Sequence, residues 1–219
     1  MKINLLTSCA KMFPGILNYG VIGRALSEDK WSISVIDMYI SSENSHIDFP
    51  LYAGGSGMLL SFMYFDDIFS YVDLSFSDVI IYISPRGKKY NQSIARRLSG
   101  CNEITFLCGR FEGIDQRIIE YYNIIEVSIG DYILSCGELA AMVIVDSLIR
   151  LVPDVLGNKV SLIDESFSND VELECNQYTR PNSCNDAKVP FCLSSGNHQY
   201  INNWKKANSK YITKFRKNN

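Results

Sequence analysis

Two glycine-bearing stretches hold residue types that could do chemistry. Cys108-Gly109-Arg110-Phe111-Glu112-Gly113 follows the apolar run Ile104–Leu107. Ile129-Gly130-Asp131-Tyr132-Ile133-Leu134-Ser135-Cys136-Gly137-Glu138 follows a second run, Ile124–Val127. Both runs read as buried strands, and loops after parallel strands are where open α/β sheets take ligands. Glycine lets backbone N–H and C=O groups approach a ligand closely, because no Cβ stands in the way. Ile129, Gly130, Tyr132, Ile133 and Leu134 combine such backbone groups with apolar walls. Among the charged residues, Glu112 either faces a ligand or serves as a helix N-terminal charge before Ile114. Asp131 also suits a turn after Gly130. Arg150 ends a predicted helix, where a cation complements the helix dipole. A guanidinium can equally stabilise an oxygen that gains negative charge. Asp164 and Glu165 are either solvated acids of a polar segment or carboxylates able to accept a proton.

The elements that must position these residues alternate. Strands are predicted at Lys2–Leu6, Trp31–Ile40 and Val79–Ile83, besides the two runs above. Helices are predicted over Met12–Leu26 with Pro14 in the first turn, Ser61–Leu74, Lys88–Leu98, Ile114–Tyr121 and Glu138–Arg150. Ser84-Pro85-Arg86-Gly87 reads as a loop after the third strand. Residues 41–57 show no apolar periodicity and end in the loop sequence Ala53-Gly54-Gly55-Ser56-Gly57. Strands alternating with helices imply an α/β fold with a parallel sheet. Residues 1–153 form that domain in this reading, and the polar, acidic stretch 154–175 is an interdomain linker. Residues 176–219 are a small second domain, mainly helical. Tyr178–Pro181 and Val189-Pro190-Phe191 are its hydrophobic anchors, and Tyr200–Phe215 is a basic helical segment around Trp204.

Composition narrows the class. At 47% apolar and 21% charged residues, the chain has the make-up of a globular protein. No apolar run approaches the roughly 18 residues of a membrane span, so no membrane association is expected. Leu6-Thr7-Ser8-Cys9 matches a lipoprotein cleavage box, but the apolar run before it is too short for a signal peptide. Seven Cys residues lack any C-x-x-C pair, and the His residues are only two, His46 and His198. Reduced cysteines in a cytoplasmic protein are therefore expected, with neither a disulfide framework nor a metal site. The net charge is −3, yet residues 187–219 hold seven basic side chains and no acidic one, leaving −10 on the rest. A basic tail of this kind suits an acidic partner.

The two glycine-bearing stretches, as C-G-R-F-E-G-I-D-Q-R and S-I-G-D-Y-I-L-S-C-G-E-L, resemble the signature segments of the bacterial tRNA (guanine-N1)-methyltransferases. Asn18–Ala25, Ile83–Gly87, Tyr178-Thr179-Arg180-Pro181 and Leu193–His198 match further segments of that family, in its order and over nearly the whole chain. The family belongs to the SPOUT class, so the resemblance implies a sheet tied into a deep trefoil knot, which periodicity does not predict. It implies methyl transfer from S-adenosyl-L-methionine to N1 of the guanosine at position 37 of tRNA, by a homodimer. Ser84, Pro85, Gly109, Glu112, Ile129, Gly130, Tyr132, Ile133, Leu134 and Gly137 would bind the cofactor. Arg150 would stabilise charge on the guanine, and Glu165, fifteen residues on and just before Ser166-Phe167, would be the base. Gly55 in the glycine-rich loop, with Lys205, Lys206 and Lys210 in the basic tail, would meet tRNA. A role for Mg2+ is also suggested by the resemblance, although no ligand cluster is visible in the sequence.

Several positions depart from the family pattern. Glu165 stands where Asp is usual, and Cys136 replaces one glycine of a pair. Cys9-Ala10 stands for Phe-Pro, and Gly55-Ser56-Gly57-Met58 for Gly-Pro-Gly-Met. One residue is inserted between Phe167 and Tyr178. An RNA-binding protein of the same fold with lost or weak catalysis is thus the rival reading. A methyltransferase of another fold is disfavoured, because no G-x-G-x-x-G opens a helix after Lys2–Leu6.

Overall fold

The computed structural model describes residues 1–38, 47–55, 57–72, 76–110, 112–157, 165–168 and 172–218. The chain divides into two compact units, Met1–Gly157 and Asn158–Asn219.

The first unit is built on five parallel strands in the order β2-β1-β6-β5-β7. These are β1 Lys2–Thr7, β2 Ser32–Asp37, β5 Val79–Lys89, β6 Glu103–Leu107 and β7 Ile125–Ser128. Strand residues alternate between two cores, as the pleat requires. Ile3, Leu5, Ile81, Ile83, Ile104 and Phe106 face one side. There they meet helix α5, Gly137–Ile149, through Ala140, Ala141, Ile144, Val145 and Leu148. Leu6, Tyr82 and Leu107 face the other side. There they meet α2, Phe62–Tyr71, through Tyr64, Phe65 and Ile68, and α4, Gln116–Tyr121, through Ile118 and Ile119. Both faces of the sheet are covered, which is why its strands read as continuous apolar runs. Side chains cap the starts of three helices: Ser61, Asn91 and Asp115 accept from backbone N–H groups at the starts of α2, α3 (Gln92–Leu98) and α4.

Three sequence expectations for this unit are corrected. The single helix over Met12–Leu26 is two short 3₁₀ turns, Ala10–Met12 and Gly15–Asn18, followed by α1 at Gly20–Ser27. Gly15 and Gly20 sit at φ +53° and +64°, a left-handed backbone that no α-helix can continue through. Ser84–Gly87 is not a free loop but an excursion inside β5. Ile83 and Lys88 both pair with Val127, so the strand leaves its ladder and returns. Gly87 permits the return, since a Cβ there would lie 2.4 Å from the Val127 backbone N. The stretch 41–57 contains one strand, β3 Asp48–Pro50, which pairs antiparallel with β4 Met58–Leu60 just beyond it. Part of it, residues 41–46 and Ser56, lies outside the described residues.

In the second unit, β8 Ser183–Cys184 pairs with β9 Ala187–Lys188, and α6 Phe191–Ser194 precedes the long α7, His198–Asn218. Phe191, expected as an anchor, is 81% exposed, because the buried face of its short helix carries Cys192 instead. Tyr178 packs on Trp204, ring centroids 6.1 Å apart. Residues 172–176 are held along α7: Leu173 N–H donates to Thr213 Oγ1, Ser209 Oγ to the Leu173 carbonyl, and Asn176 N–H to Asn208 Oδ1.

Candidate functional site

The excursion inside β5 and the loops that follow β6 and β7 enclose a cavity of about 550 Å³. The β5 excursion supplies Ser84, Pro85 and Arg86; the second loop supplies Gly109, Arg110, Glu112 and Gly113; the third runs from Ile129 to Gly137. Ser84, Pro85, Gly109, Glu112, Ile129, Gly130, Tyr132, Ile133, Leu134 and Gly137 all line this one space. Its volume lies in the range of pockets that take small organic ligands.

Hydrogen bonds fix each loop. Ser84 Oγ accepts from the Arg86 N–H at 3.2 Å, a local turn that sets the excursion. Ser128 Oγ accepts from Gly130 N–H at 3.2 Å and donates to its carbonyl at 3.0 Å. Lys89 binds the Asp131 carboxylate, joining the third loop to the end of β5. Tyr132 and Ile133 stand 54% and 80% exposed at the mouth, apolar surface available to a ligand. The second loop is tied to β4: Leu60 N–H donates to the Gly113 carbonyl and Glu112 N–H to the Met58 carbonyl. A Cβ on Gly57 would lie 2.6 Å from Glu112 Cγ, so that glycine lets the β3–β4 connection rest against the Glu112 side chain.

Two close approaches explain why glycine is needed inside the cavity. A Cβ on Gly137 would come within 3.2–3.4 Å of the backbone of Cys108 and Gly109, so the second and third loops meet backbone to backbone. A Cβ on Gly109 would lie 2.7 Å from Tyr82 Cε2 and 2.8 Å from its hydroxyl. Tyr82 was not singled out in the sequence, where it looked like one more apolar residue of a strand. It lines the cavity floor, and burial, then the Glu126 charge, pushes its phenol up to about 12, so it is a neutral hydroxyl at physiological pH. Cys108, beneath the second loop, is fully buried. Burial first, then the nearby Glu138 and Cys136, raises its thiol well above the ordinary range. Cys136 lines the cavity where the family pattern has glycine.

The other candidate residues lie apart from these loops. Arg150 is the C-cap of α5, half-buried, its N–H bonded to the Asp146 carbonyl. Gly55 lies in the β3–β4 connection at φ +141° with open space around it. In the second unit, Glu165, Lys205, Lys206 and Lys210 line a hollow of about 600 Å³ together with Glu172 and Glu174. Asp164 lies outside the described residues. Among the described residues no three His, Cys, Asp or Glu side chains group to hold a metal ion, and no helix is long and apolar enough to cross a membrane. All seven cysteines are free thiols.

A doubly covered parallel sheet with a glycine-lined cavity among its loops defines an α/β protein with a pocket sized for a small organic ligand. The whole chain, residues 1–219, matches the family described as tRNA (Guanine-1)-methyltransferase TrmD. It is 46% identical to a protein of Ehrlichia ruminantium strain Gardel over 99% of this chain and 93% of the relative. It is 45% identical to one of Wolbachia pipientis wMel over 99% and 93%, and 42% to one of Rickettsia typhi over 99% and 96%. Each of these relatives is named tRNA (guanine-N(1)-)-methyltransferase. The chain belongs to this family of tRNA methyltransferases.

Proposed function

We propose that the chain transfers a methyl group from S-adenosyl-L-methionine to N1 of the guanosine at position 37 of tRNA, in the cytoplasm, as a homodimer whose sites draw on both chains. The observation that carries the reading is the joining of ten loop residues in one glycine-lined cavity, in a chain of this family. The order of the parallel strands, with the second and third cavity loops meeting backbone to backbone, supports the knotted form of the fold.

The cavity's donor set fits the methyl donor. Ile129, Ile133, Leu134 and Pro85 offer apolar walls for a flat purine, and the close-packed backbone of Gly109, Gly130 and Gly137 offers N–H and C=O groups beside them. The exposed carboxyl of Glu112 suits the positive end of the molecule. When bound, S-adenosyl-L-methionine supplies an electrophilic methyl group. The residues of the chain supply the rest. Guanine N1 carries a proton at neutral pH, and Glu165 accepts it as the N1–carbon bond forms. Arg150 hydrogen-bonds O6, where negative charge gathers as that proton leaves. Holding both substrates in near-attack geometry replaces a bimolecular encounter. Lys205, Lys206 and Lys210 meet tRNA phosphates, and Gly55 lets the β3–β4 connection approach RNA.

Calorimetry tests the cofactor half of this reading. S-adenosyl-L-methionine should bind without RNA at one site per chain. Gly130→Val should lose most of that binding, because a Cβ there would stand 2.4 Å from the Tyr132 ring. Binding that Gly130→Val leaves intact would place the methyl donor elsewhere.

A further inference from the structure

Thr7 at the end of β1 and the two residues after it, Ser8-Cys9, line no part of the cavity, yet they hold the two loops, after β6 and β7, that do. Thr7 Oγ1 donates to Glu138 Oε1 at 2.6 Å, with both side chains fully buried. Glu138 is the second residue of α5, directly after the cavity residue Gly137. The same Thr7 oxygen accepts from the Cys9 N–H at 2.9 Å. Arg110 Nη2, in the second cavity loop, donates to Cys9 Sγ at 2.7 Å. One hydroxyl thus links both loops from behind. Glu138 Oε2, Ser8 Oγ and Arg110 Nε are all buried with no partner among the described residues. Thr7 is therefore the donor on which the Glu138 carboxyl depends.

We infer that Thr7 and Glu138 are positioning residues for cofactor binding, which set the spacing between the Gly109 loop and the Gly137 loop without touching the ligand. This rests on the cofactor reading above. The geometry makes the spacing critical: the loops meet with a Gly137 Cβ position only 3.2 Å from the Gly109 N, so neither can shift without moving the other. Loss of the Thr7 hydroxyl strips a buried carboxyl of its donor and frees the first turn of α5 to retreat toward another partner. The Cys9 N–H loses its acceptor in the same step, and the Arg110 side loosens with it.

The test uses the full chain, with S-adenosyl-L-methionine as the probe. Thr7→Val keeps the shape and removes the hydroxyl; Thr7→Ser keeps the hydroxyl and removes a methyl. Measured well below the melting temperature, Thr7→Val should weaken cofactor binding about tenfold or more, the scale of a lost bond to a charged group. The rate at saturating cofactor and tRNA should stay within a few-fold of the parent, and Thr7→Ser should bind like the parent. A folded Thr7→Val with parental affinity overturns the inference. So does equal weakening by both variants, which would assign the effect to packing. Should Thr7→Val not fold, Cys9→Ala reads the other arm. It removes the acceptor of Arg110 at a half-buried position and should weaken cofactor binding about threefold, because a thiol sulfur is a weak acceptor even for a charged donor. Unchanged affinity there overturns the inference as well. A parent protein that binds no S-adenosyl-L-methionine would instead sink the cofactor reading itself.

Discussion

Gly109→Ala separates two reasons for a glycine in the second cavity loop. One is that the ligand must come close to its backbone; the other is that Tyr82 already occupies the space. The added Cβ would stand 2.7 Å from Tyr82 Cε2 and 2.8 Å from its hydroxyl. Carbon pairs prefer about 3.5–4.0 Å, so the ring or the loop must yield by the better part of an ångström. Tyr82 is only 6% exposed, so it has little room to turn. Overpacking of this kind costs about 1–3 kcal/mol. In a chain of this size each kcal/mol lowers the melting temperature by about 2–4 °C. The decisive assay is thermal unfolding of the protein without cofactor, because the contact with Tyr82 exists before any ligand arrives. Gly109→Ala should melt lower than the parent by about 2–12 °C on those figures. In a Tyr82→Leu background most of that loss should vanish, a coupling that a double-mutant cycle reads directly. If ligand-free Gly109→Ala is as stable as the parent, or if the loss persists in Tyr82→Leu, the Tyr82 argument is wrong and ligand approach is the reason for the glycine.

Three further predictions concern residues outside the cavity. In single-turnover methylation Glu165→Gln should slow by about 10²-fold or more, the usual worth of a positioned base, while Asp164→Asn stays within a few-fold; exchanged results would move the base to Asp164. Replacing Lys205, Lys206 and Lys210 by Gln should weaken tRNA binding and flatten its dependence on salt, because fewer counterions are released. An unaltered slope would make these lysines solvated surface. Asp115 caps α4, and its hydrogen bond to Arg117 holds its carboxyl below the ordinary range. Its contribution is present above the unfolded pKa and is lost as pH falls through the lowered folded value, so Asp115→Ala should cost about 1 kcal/mol near neutrality and progressively less in acid. Parallel stability curves for parent and variant across that range would refute the assignment.

The parallel sheet was legible because each central strand is buried on both faces. Ile104–Leu107 and Val79–Ile83 therefore show as short apolar runs, while Gly109 and Gly130 mark the loops behind them. The ten cavity residues came from a family pattern laid over those segments, and the fold gathers them because they lie in the β5 excursion or in the loops directly after β6 and β7. What the sequence hid is equally physical. Gly15 and Gly20 break a helical pattern that hydrophobic spacing alone continues. Ser84–Gly87 looks like a loop because a strand that leaves its ladder and rejoins it has no period of its own. Tyr82 and Thr7 were missed because one reads as a core strand residue and the other as a strand end. Their partners, Gly109 and Glu138, are 27 and 131 residues away in sequence. Buried contacts across such distances leave no local signature.

The most direct measurement of the central claim is transfer of a labelled methyl group from S-adenosyl-L-methionine to a tRNA transcript, with the modified nucleoside located by nuclease digestion and mass spectrometry. Label should fall on N1 of guanosine 37, with none on a transcript in which that guanosine is replaced and almost none with Arg150→Ala. Label at another nucleotide, or equal labelling of the transcript lacking guanosine 37, would contradict that claim.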